Sequence, residues 1–351
     1  MKILLLALRR LGDVLLATPL LRSLRLAYPD ATIDALVYAG QEGILEGNPD
    51  CNNVIAVDPY PGAAGYRRLL GRMWRRYDLA VTTQANDRSH LYAWLFARKR
   101  VGLVPDLGWS SAWKRASCSA CAVLDDIETH TVVQNLVLAD LLGIPRHYEV
   151  VVPRAEFSRS LENYVVLHPY PKFNYKQWTR DGWKRLIEWL RGQGLQVVLS
   201  GGPDAAEKAY NAALAPGEVL DLTGQLSLGA LPALYRSARL FVGADTSATH
   251  LAAACGAPTL ALFGPTNPVK WGPWPARHQG GTEKSPYRRL ARPWQRVGNV
   301  ILLQGVQPLD LGGCLPCHRE GCERRVASFS RCLTEMPLDP VTAAARELLR
   351  S

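Results

Sequence analysis

The chain has 351 residues, 48% of them hydrophobic, and its 41 lysines and arginines against 31 aspartates and glutamates give a formal net charge of +10. That length exceeds one small core and fits two domains of roughly 150–180 residues each. No apolar stretch reaches the ~18 residues that span a bilayer, and Arg9 and Arg10 cut the apolar opening too short for a signal peptide, so an intracellular, cytoplasmic protein is expected.

The opening MKILLLALRRLGDVLLATPLLRSLRLAYPD predicts a buried strand over Ile3–Leu8 and a helix over Val14–Tyr28. Between such a strand and helix a nucleotide-binding fold usually carries a glycine-rich phosphate loop. Here the turn holds one glycine, Gly12, followed by a carboxylate, Asp13. Short apolar runs then alternate with helical patterns. Strands are expected at Thr32–Tyr38, Asn53–Val57, Leu79–Thr83 and Arg100–Val104, and helices at Gln41–Gly47, Tyr66–Arg76, Ser89–Phe96 and His130–Leu142. This alternation argues for a parallel, doubly wound sheet.

Basic residues cluster along this half. Arg67, Arg68, Arg72, Arg75 and Arg76 fall in GYRRLLGRMWRRYD, where leucines, Met73 and Trp74 interleave with them as on an amphipathic helix. A solvated basic face is one reading; attraction to anionic lipid heads or a phosphorylated substrate is the other. Nucleic acid is disfavoured, because neither a zinc finger nor an RNA-recognition signature accompanies the charge.

Residues Pro145 to Arg159 mix proline with charge and mark a domain crossing, giving a first domain over 1–155 and a second over 160–335. In the second the pattern restarts. Strands are expected at Tyr164–His168, Gln196–Ser200, Glu218–Asp221, Leu240–Gly243 and Thr259–Phe263. Helices are expected at Arg180–Gln193, Ala205–Leu214, Leu228–Arg236 and Thr249–Cys255. Gly264 to Pro308 shows little periodicity, and a last helix near Pro340–Leu349, within a tail over 336–351, is read as free to pack back on the first domain. Two such sheets facing each other would line a cleft with their strand carboxyl ends.

The strongest local signal is LFVGADTSATHLAAACGAPTLALFG. A buried strand ends at Asp245-Thr246-Ser247 and an apolar helix begins, so free N–H groups and the positive helix end form a diphosphate site, with His250 one turn inside. In HPYPKFNYKQW, Lys176 follows a proline-stiffened strand exit and is placed to neutralise leaving phosphate. SGGPDAAE adds a glycine turn and Glu207, a candidate acceptor of ribose hydroxyls. Asp13 reads as a general base facing this cationic pocket. No two aspartates are separated by a single residue, so the D-x-D metal-diphosphate motif is absent and metal-independent chemistry is expected. Cys314, Cys317, Cys322 and Cys332 are permissive for structural zinc, but reduced thiols are the favoured reading.

Together these segments resemble the bacterial lipopolysaccharide heptosyltransferases, the ADP-heptose-dependent, family 9 glycosyltransferases of the GT-B fold. The resemblance runs through LGDVLLATPLLRSLRLAYPD, RKRVG, HTVVQNLVLADLLGI, KQW, LSGGPDAAE, LTGQLSL and DTSATHLAAACGAPTLALFGPTNP, and the opening and FNYKQW look most like the heptosyltransferase III branch. It implies inverting transfer of heptose from ADP-L-glycero-D-manno-heptose to a core heptose hydroxyl of a phosphorylated lipid acceptor, at the inner face of the inner membrane. By it, Asp13 matches the catalytic base and Lys176 the lysine on the donor phosphate. Asp245, Thr246, Ser247 and His250 match the donor loop and helix start, Glu207 the acid near the ribose, and the backbone near Leu226 the adenine site. Arg9 and Arg10, with the 67–76 cluster, would face acceptor or membrane. The chain departs from the family pattern at Ala7, where a basic residue is usual and Arg9 stands in, at Pro171 and Lys172 in place of small hydroxyl residues, and at Ser247 in place of glycine. Without the resemblance, the residues also suit another GT-B transferase or epimerase using a UDP-sugar, or a non-catalytic basic protein that docks nucleotides or anionic glycans.

Overall fold

The computed structural model describes residues 1–350 except 107, 215, 216, 282, 309 and 311. It divides into two units, Met1–Pro153 with Gln279–Lys284, and Arg154–His278 with Ser285–Ser351. The first unit therefore includes six residues from deep in the second half of the chain. The backbone N–H of His130 donates to the Lys284 carbonyl at 2.8 Å, and Tyr148 fills the space where a side chain on Gly280 would stand.

The sheet of the first unit contains β1 (Lys2–Leu6), β2 (Thr32–Tyr38), β3 (Asn53–Val57), β4 (Tyr77–Thr82), β5 (Ala97–Val104) and β6 (Ala120–Val123). Their spatial order is β3-β2-β1-β4-β5-β6, and every pairing is parallel. Helices cover both faces of such a sheet, so β1 is apolar at every position from Ile3 to Leu6 and buried there, with no alternation. The helix expected over Val14–Tyr28 is two helices, Leu11–Leu15 and Thr18–Ala27. Pro19 lies in the first turn of the second, where its missing N–H has no acceptor to lose. The Thr18 hydroxyl donates to the Leu15 carbonyl and accepts the Val151 N–H, so the break is bonded on both sides. Sequence reading does not find β6 or the helix Trp109–Ser117.

The second unit has β7 (Tyr164–His168), β8 (Gln196–Leu199), β9 (Leu220–Asp221), β10 (Leu240–Ala244), β11 (Thr259–Phe263), β12 (Gln295–Val297) and β13 (Val300–Gln304), in the order β12-β13-β11-β10-β7-β8-β9. All pairings are parallel save β12 with β13. Apart from that edge hairpin, the second sheet repeats the strand order of the first. β12 and β13 lie in the stretch read as aperiodic. Val300–Gln304 is a five-residue, wholly buried run, and its glycine- and proline-rich flanks conceal it.

Trp178 and Trp183 meet edge to face at 5.3 Å in the core of this unit, and the Trp178 indole N–H donates to the Met336 carbonyl. The C-terminal helix Leu338–Leu349 buries Val341, Ala344, Ala345 and Leu348 against the helix Arg180–Gly192 and strands β10, β11 and β13. It belongs to the second unit, whereas sequence reading leaves it free to return to the first. The two alanines leave room for the close approach, and Arg346 lies over the Trp189 ring.

Candidate active site

In an open parallel sheet, ligands bind beyond the strand carboxyl ends where the direction of winding reverses. In the second unit that point lies between β7 and β10, where His168 pairs with Gly243. Gly243 has no room for a side chain: a Cβ would stand 2.7 Å from the Thr249 hydroxyl, which itself donates to the Ala244 carbonyl. That close approach brings the helix Ser247–Ala254 directly off the end of β10. Thr246 occupies its N-cap without donating or accepting a capping bond through its side chain. The first turn therefore presents backbone N–H groups with no intrahelical acceptor.

Lys176 and Asp245 come together here. The ammonium lies 2.6 Å from Asp245 Oδ2, and both side chains are largely buried. Lys176 ends a short 3-10 turn, Asn174–Lys176, after the Pro169-Tyr170-Pro171 exit from β7, whereas Asp245 follows β10. Burial works against the Asp245 carboxylate, yet Lys176, His250 and a hydrogen bond from Thr266 hold its pKa below the ordinary aspartate value. His250 is buried beside them, with no hydrogen-bond partner for Nδ1. Burial brings its pKa down to about 4; Asp245 opposes the shift and Lys176 adds to it. At neutral pH the group is thus a lysine–aspartate pair beside a neutral imidazole. Sequence reading misses Thr266 as a contact, although it stands in the GPTNP loop directly after β11.

A second polar group adjoins the ends of β7 and β8. His168 Nδ1 lies 3.2 Å from the Ser200 hydroxyl, and Tyr235, fully buried, donates to the same hydroxyl at 3.3 Å. Glu207 is in the first turn of the helix Ala205–Ala212, whose cap Asp204 accepts the N–H groups of Ala206 and Glu207. Its carboxylate folds back over Gly201 and Gly202, where a Cβ on Gly201 would stand 2.7 Å from Oε1. Burial raises the Glu207 pKa against a hydrogen bond from the Gly202 N–H. Glu207 Oε1 is 3.8 Å from His168 Nε2, but burial brings the His168 pKa to about 4, so the contact is no ion pair at neutral pH. Leu226 lies half-buried in the bend after β9, on the same edge of the sheet. Sequence reading does not pick out His168, Ser200 or Tyr235 as site residues. Only the position of His168 and Ser200 at strand ends could have signalled the first two.

The first unit has its own switch point, between β1 and β4, where the Thr83 N–H and hydroxyl both reach the Leu6 carbonyl. Asp13, 6% exposed, sits in the first turn of Leu11–Leu15. Its carboxylate accepts from the Arg10 N–H at 3.4 Å and from Arg9 Nη1 at 3.3 Å. A helix N-terminus and a guanidinium both favour the ionised acid. Arg9 is half-exposed and Arg10 exposed. Arg67, Arg68 and Arg72 lie on the helix Ala63–Met73, with Arg75 and Arg76 just beyond it, and all five are exposed.

The cysteines are all free thiols, and burial followed by its neighbours Cys317, Cys322 and Cys314 pushes Cys332 up to about 12. Among the described residues, no group of three or more His, Cys, Asp or Glu side chains is placed to hold a metal ion, and no helix is long and apolar enough to cross a membrane.

Residues 66–292 match the model of glycosyltransferase family 9 (heptosyltransferase). Lipopolysaccharide heptosyltransferase 3 of Escherichia coli K12 is 31% identical over 287 residues, which cover 75% of this chain and 82% of that protein. The chain belongs to family 9. It is a glycosyltransferase of the heptosyltransferase family that builds the lipopolysaccharide core. Lipopolysaccharide heptosyltransferase 2 of the same strain is 27% identical over 76% of this chain and 84% of its own. Two solved structures share the GT-B fold of this family member. The E. coli ADP-heptose lps heptosyltransferase II superposes with a TM-score of 0.72 at 21% identity, covering 100% of this chain and 99% of its own. E. coli heptosyltransferase WaaC with ADP gives 0.71 at 18% identity, covering 99% and 100%.

Proposed function

We propose that this family 9 heptosyltransferase moves heptose from ADP-L-glycero-D-manno-heptose to a sugar hydroxyl of the phosphorylated inner core of lipopolysaccharide, with inversion. The observation that carries the reading is the Lys176–Asp245 pair beside His250 at the start of the helix Ser247–Ala254. A cation over unpaired helix N–H groups is suited to a diphosphate. The similar heptosyltransferase WaaC of E. coli has been solved with ADP, which supports an adenine nucleotide here.

In this reading the acceptor hydroxyl gives its proton to Asp13 as its oxygen bonds to the anomeric carbon. The bond from that carbon to the diphosphate breaks, and ADP departs with the electron pair. Lys176 and the N–H groups following Asp245-Thr246-Ser247 take up the charge that develops, as preorganised donors do at a leaving group. Asp245 holds Lys176 in place. Glu207 accepts from the ribose hydroxyls, and the backbone near Leu226 lies against adenine. With no D-x-D pair in the chain, the protein's own cations serve the leaving group and turnover persists in EDTA. The enzyme works as a peripheral protein on the cytoplasmic face of the inner membrane, the arginines from Arg67 to Arg76 drawn to anionic lipid.

A thermal-shift panel tests the donor. ADP and ADP-heptose raise the melting temperature, and UDP, GDP and their sugar conjugates raise it less. A preference for uridine nucleotides overturns the assignment.

A further inference from the structure

Behind the lysine loop, the second unit contains a cavity of about 480 Å³, a volume within the usual range for small-molecule sites. Its lining includes Tyr170, Thr179, Arg180, Tyr210 and Phe329, and no carboxylate. Asn174 and Trp178 on this wall already donate to the Ala327 and Met336 carbonyls, whereas the Tyr210 hydroxyl and the Arg180 guanidinium have no acceptor among the described residues. Tyr210 is 5% exposed; its polar neighbour is the Arg180 guanidinium, a donor, and its buried hydroxyl has no acceptor for its own proton. Arg180 lies with its guanidinium 4.7 Å from the centre of the Tyr210 ring, and among the described residues it makes no ion pair. Arginine has no lone pair to offer the phenol proton. Thr179 caps the thirteen-residue helix Arg180–Gly192 by accepting the Gly182 N–H, so the positive end of that helix opens on the same wall. The aromatic faces are arranged as well: Tyr170 and Tyr210 stand 5.2 Å apart at 54°, and Phe329 is half-exposed.

We propose that this cavity is a second ligand site, separate from the Lys176–Asp245–His250 group, which takes an anionic monosaccharide unit. The carboxylate or phosphate of the sugar accepts from the Tyr210 hydroxyl and the Arg180 guanidinium, and a pyranose face lies against the rings of Tyr170 and Phe329. A neutral sugar leaves the guanidinium and the helix end unanswered, and a bare anion leaves the rings uncovered. The site needs both.

The test is calorimetric titration of the full chain, without nucleotide, with four probes: glucose 6-phosphate, glucuronate, glucose and inorganic phosphate. At least one of the two anionic sugars binds, and which is tighter tells phosphate from carboxylate. Glucose and phosphate bind at least about tenfold more weakly. Hydrogen bonds to charged groups contribute about 1.5–3 kcal/mol, so Tyr210→Phe, which keeps the ring, and Arg180→Ala each weaken the anionic sugar about ten- to a hundredfold. Both variants keep the wild-type circular dichroism and melting temperature. Absence of binding by both anionic sugars overturns the proposal, as does glucose or inorganic phosphate binding equally well. Unchanged affinity in both variants does so too.

Discussion

The two sheets share one strand order and place their switch points between equivalent strands, β1 with β4 and β7 with β10, yet the chemistry at the two points is opposite. The first ends in an acid, Asp13, held by the Arg9 guanidinium and the Arg10 N–H. The second ends in a lysine, held by Asp245 and flanked by an imidazole that burial keeps neutral. A strand end that opens on a helix N-terminus favours negative charge in both units. In the first the protein's own carboxylate supplies that charge; in the second the helix start is left without a capping side chain. On the proposed function one architecture serves a base in the first unit and an anion site in the second, and the two helix starts differ in that only the first carries a carboxylate in its first turn.

The sharpest way to break the comparison is to neutralise the acid. Loss of a general base costs about 10²–10⁴-fold in rate. Asp13→Asn therefore lowers turnover by that factor while ADP affinity, measured by titration, stays at the wild-type value. A variant that loses ADP affinity and turnover together would place Asp13 in the nucleotide site and end the division of labour.

The second way uses pH. His168 and His250 titrate near 4 in the folded protein against an ordinary value of 6.5, both through burial. Between those limits the unfolded chain binds protons that the folded chain does not, so stability rises with pH across the window and falls as the pH drops from about 6.5 towards 4. At about 1.4 kcal/mol per pKa unit, each histidine contributes at most about 3–4 kcal/mol to that loss. Urea midpoints from pH 7 to 4.5 fall steeply in the wild type, and less steeply in His168→Gln. An identical slope in the variant removes His168 from the account.

How much of this was legible in the sequence follows from the range of the interactions. β1, β10 and Asp13 were visible because a continuous apolar run and the turn after it are local. The helix break at Leu16–Ala17 was hidden, although Pro19 stood in view, because a proline fits the first turn of a new helix as well as it ends an old one. The pairing of Lys176 with Asp245 was out of reach. Each reads alone as part of a phosphate site, but only the adjacency of β7 and β10 brings them to 2.6 Å. Likewise Gln279–Lys284 joins the first unit through backbone bonds that leave no mark on periodicity. The Tyr235–Ser200–His168 chain is assembled from three elements and has no motif.

The third test sharpens the second site from within. Lys176→Met keeps the length of the side chain and removes its charge. Charged hydrogen bonds contribute about 1.5–3 kcal/mol, so ADP affinity falls about ten- to a hundredfold. AMP, lacking the second phosphate, should lose less. The variant also leaves Asp245 buried beside neutral groups, which raises its pKa and lowers the melting temperature. Equal losses for ADP and AMP would shift Lys176 off the diphosphate.

The smallest effect concerns the basic face of the first unit. Arg67, Arg68, Arg72, Arg75 and Arg76 are exposed, and among the described residues none makes an ion pair. They are not equivalent. Arg75 donates to the Ala97 carbonyl and lies over the Trp94 ring, and Arg76 donates to the Arg72 carbonyl, so those two are tied to local structure. Arg68 has no such tie and reports on charge alone. One basic residue near an anionic membrane is worth about 1 kcal/mol. Arg68→Gln accordingly weakens co-sedimentation with phosphatidylglycerol-containing vesicles about fivefold, leaves neutral vesicles unaffected, and loses its effect in high salt as screening grows. Turnover on a water-soluble acceptor fragment is unchanged, because the residue acts on the surface and not at the sugar. If vesicle binding is indifferent to Arg68 at low salt, the basic helix is a solvated face and the proposed membrane attachment through it falls.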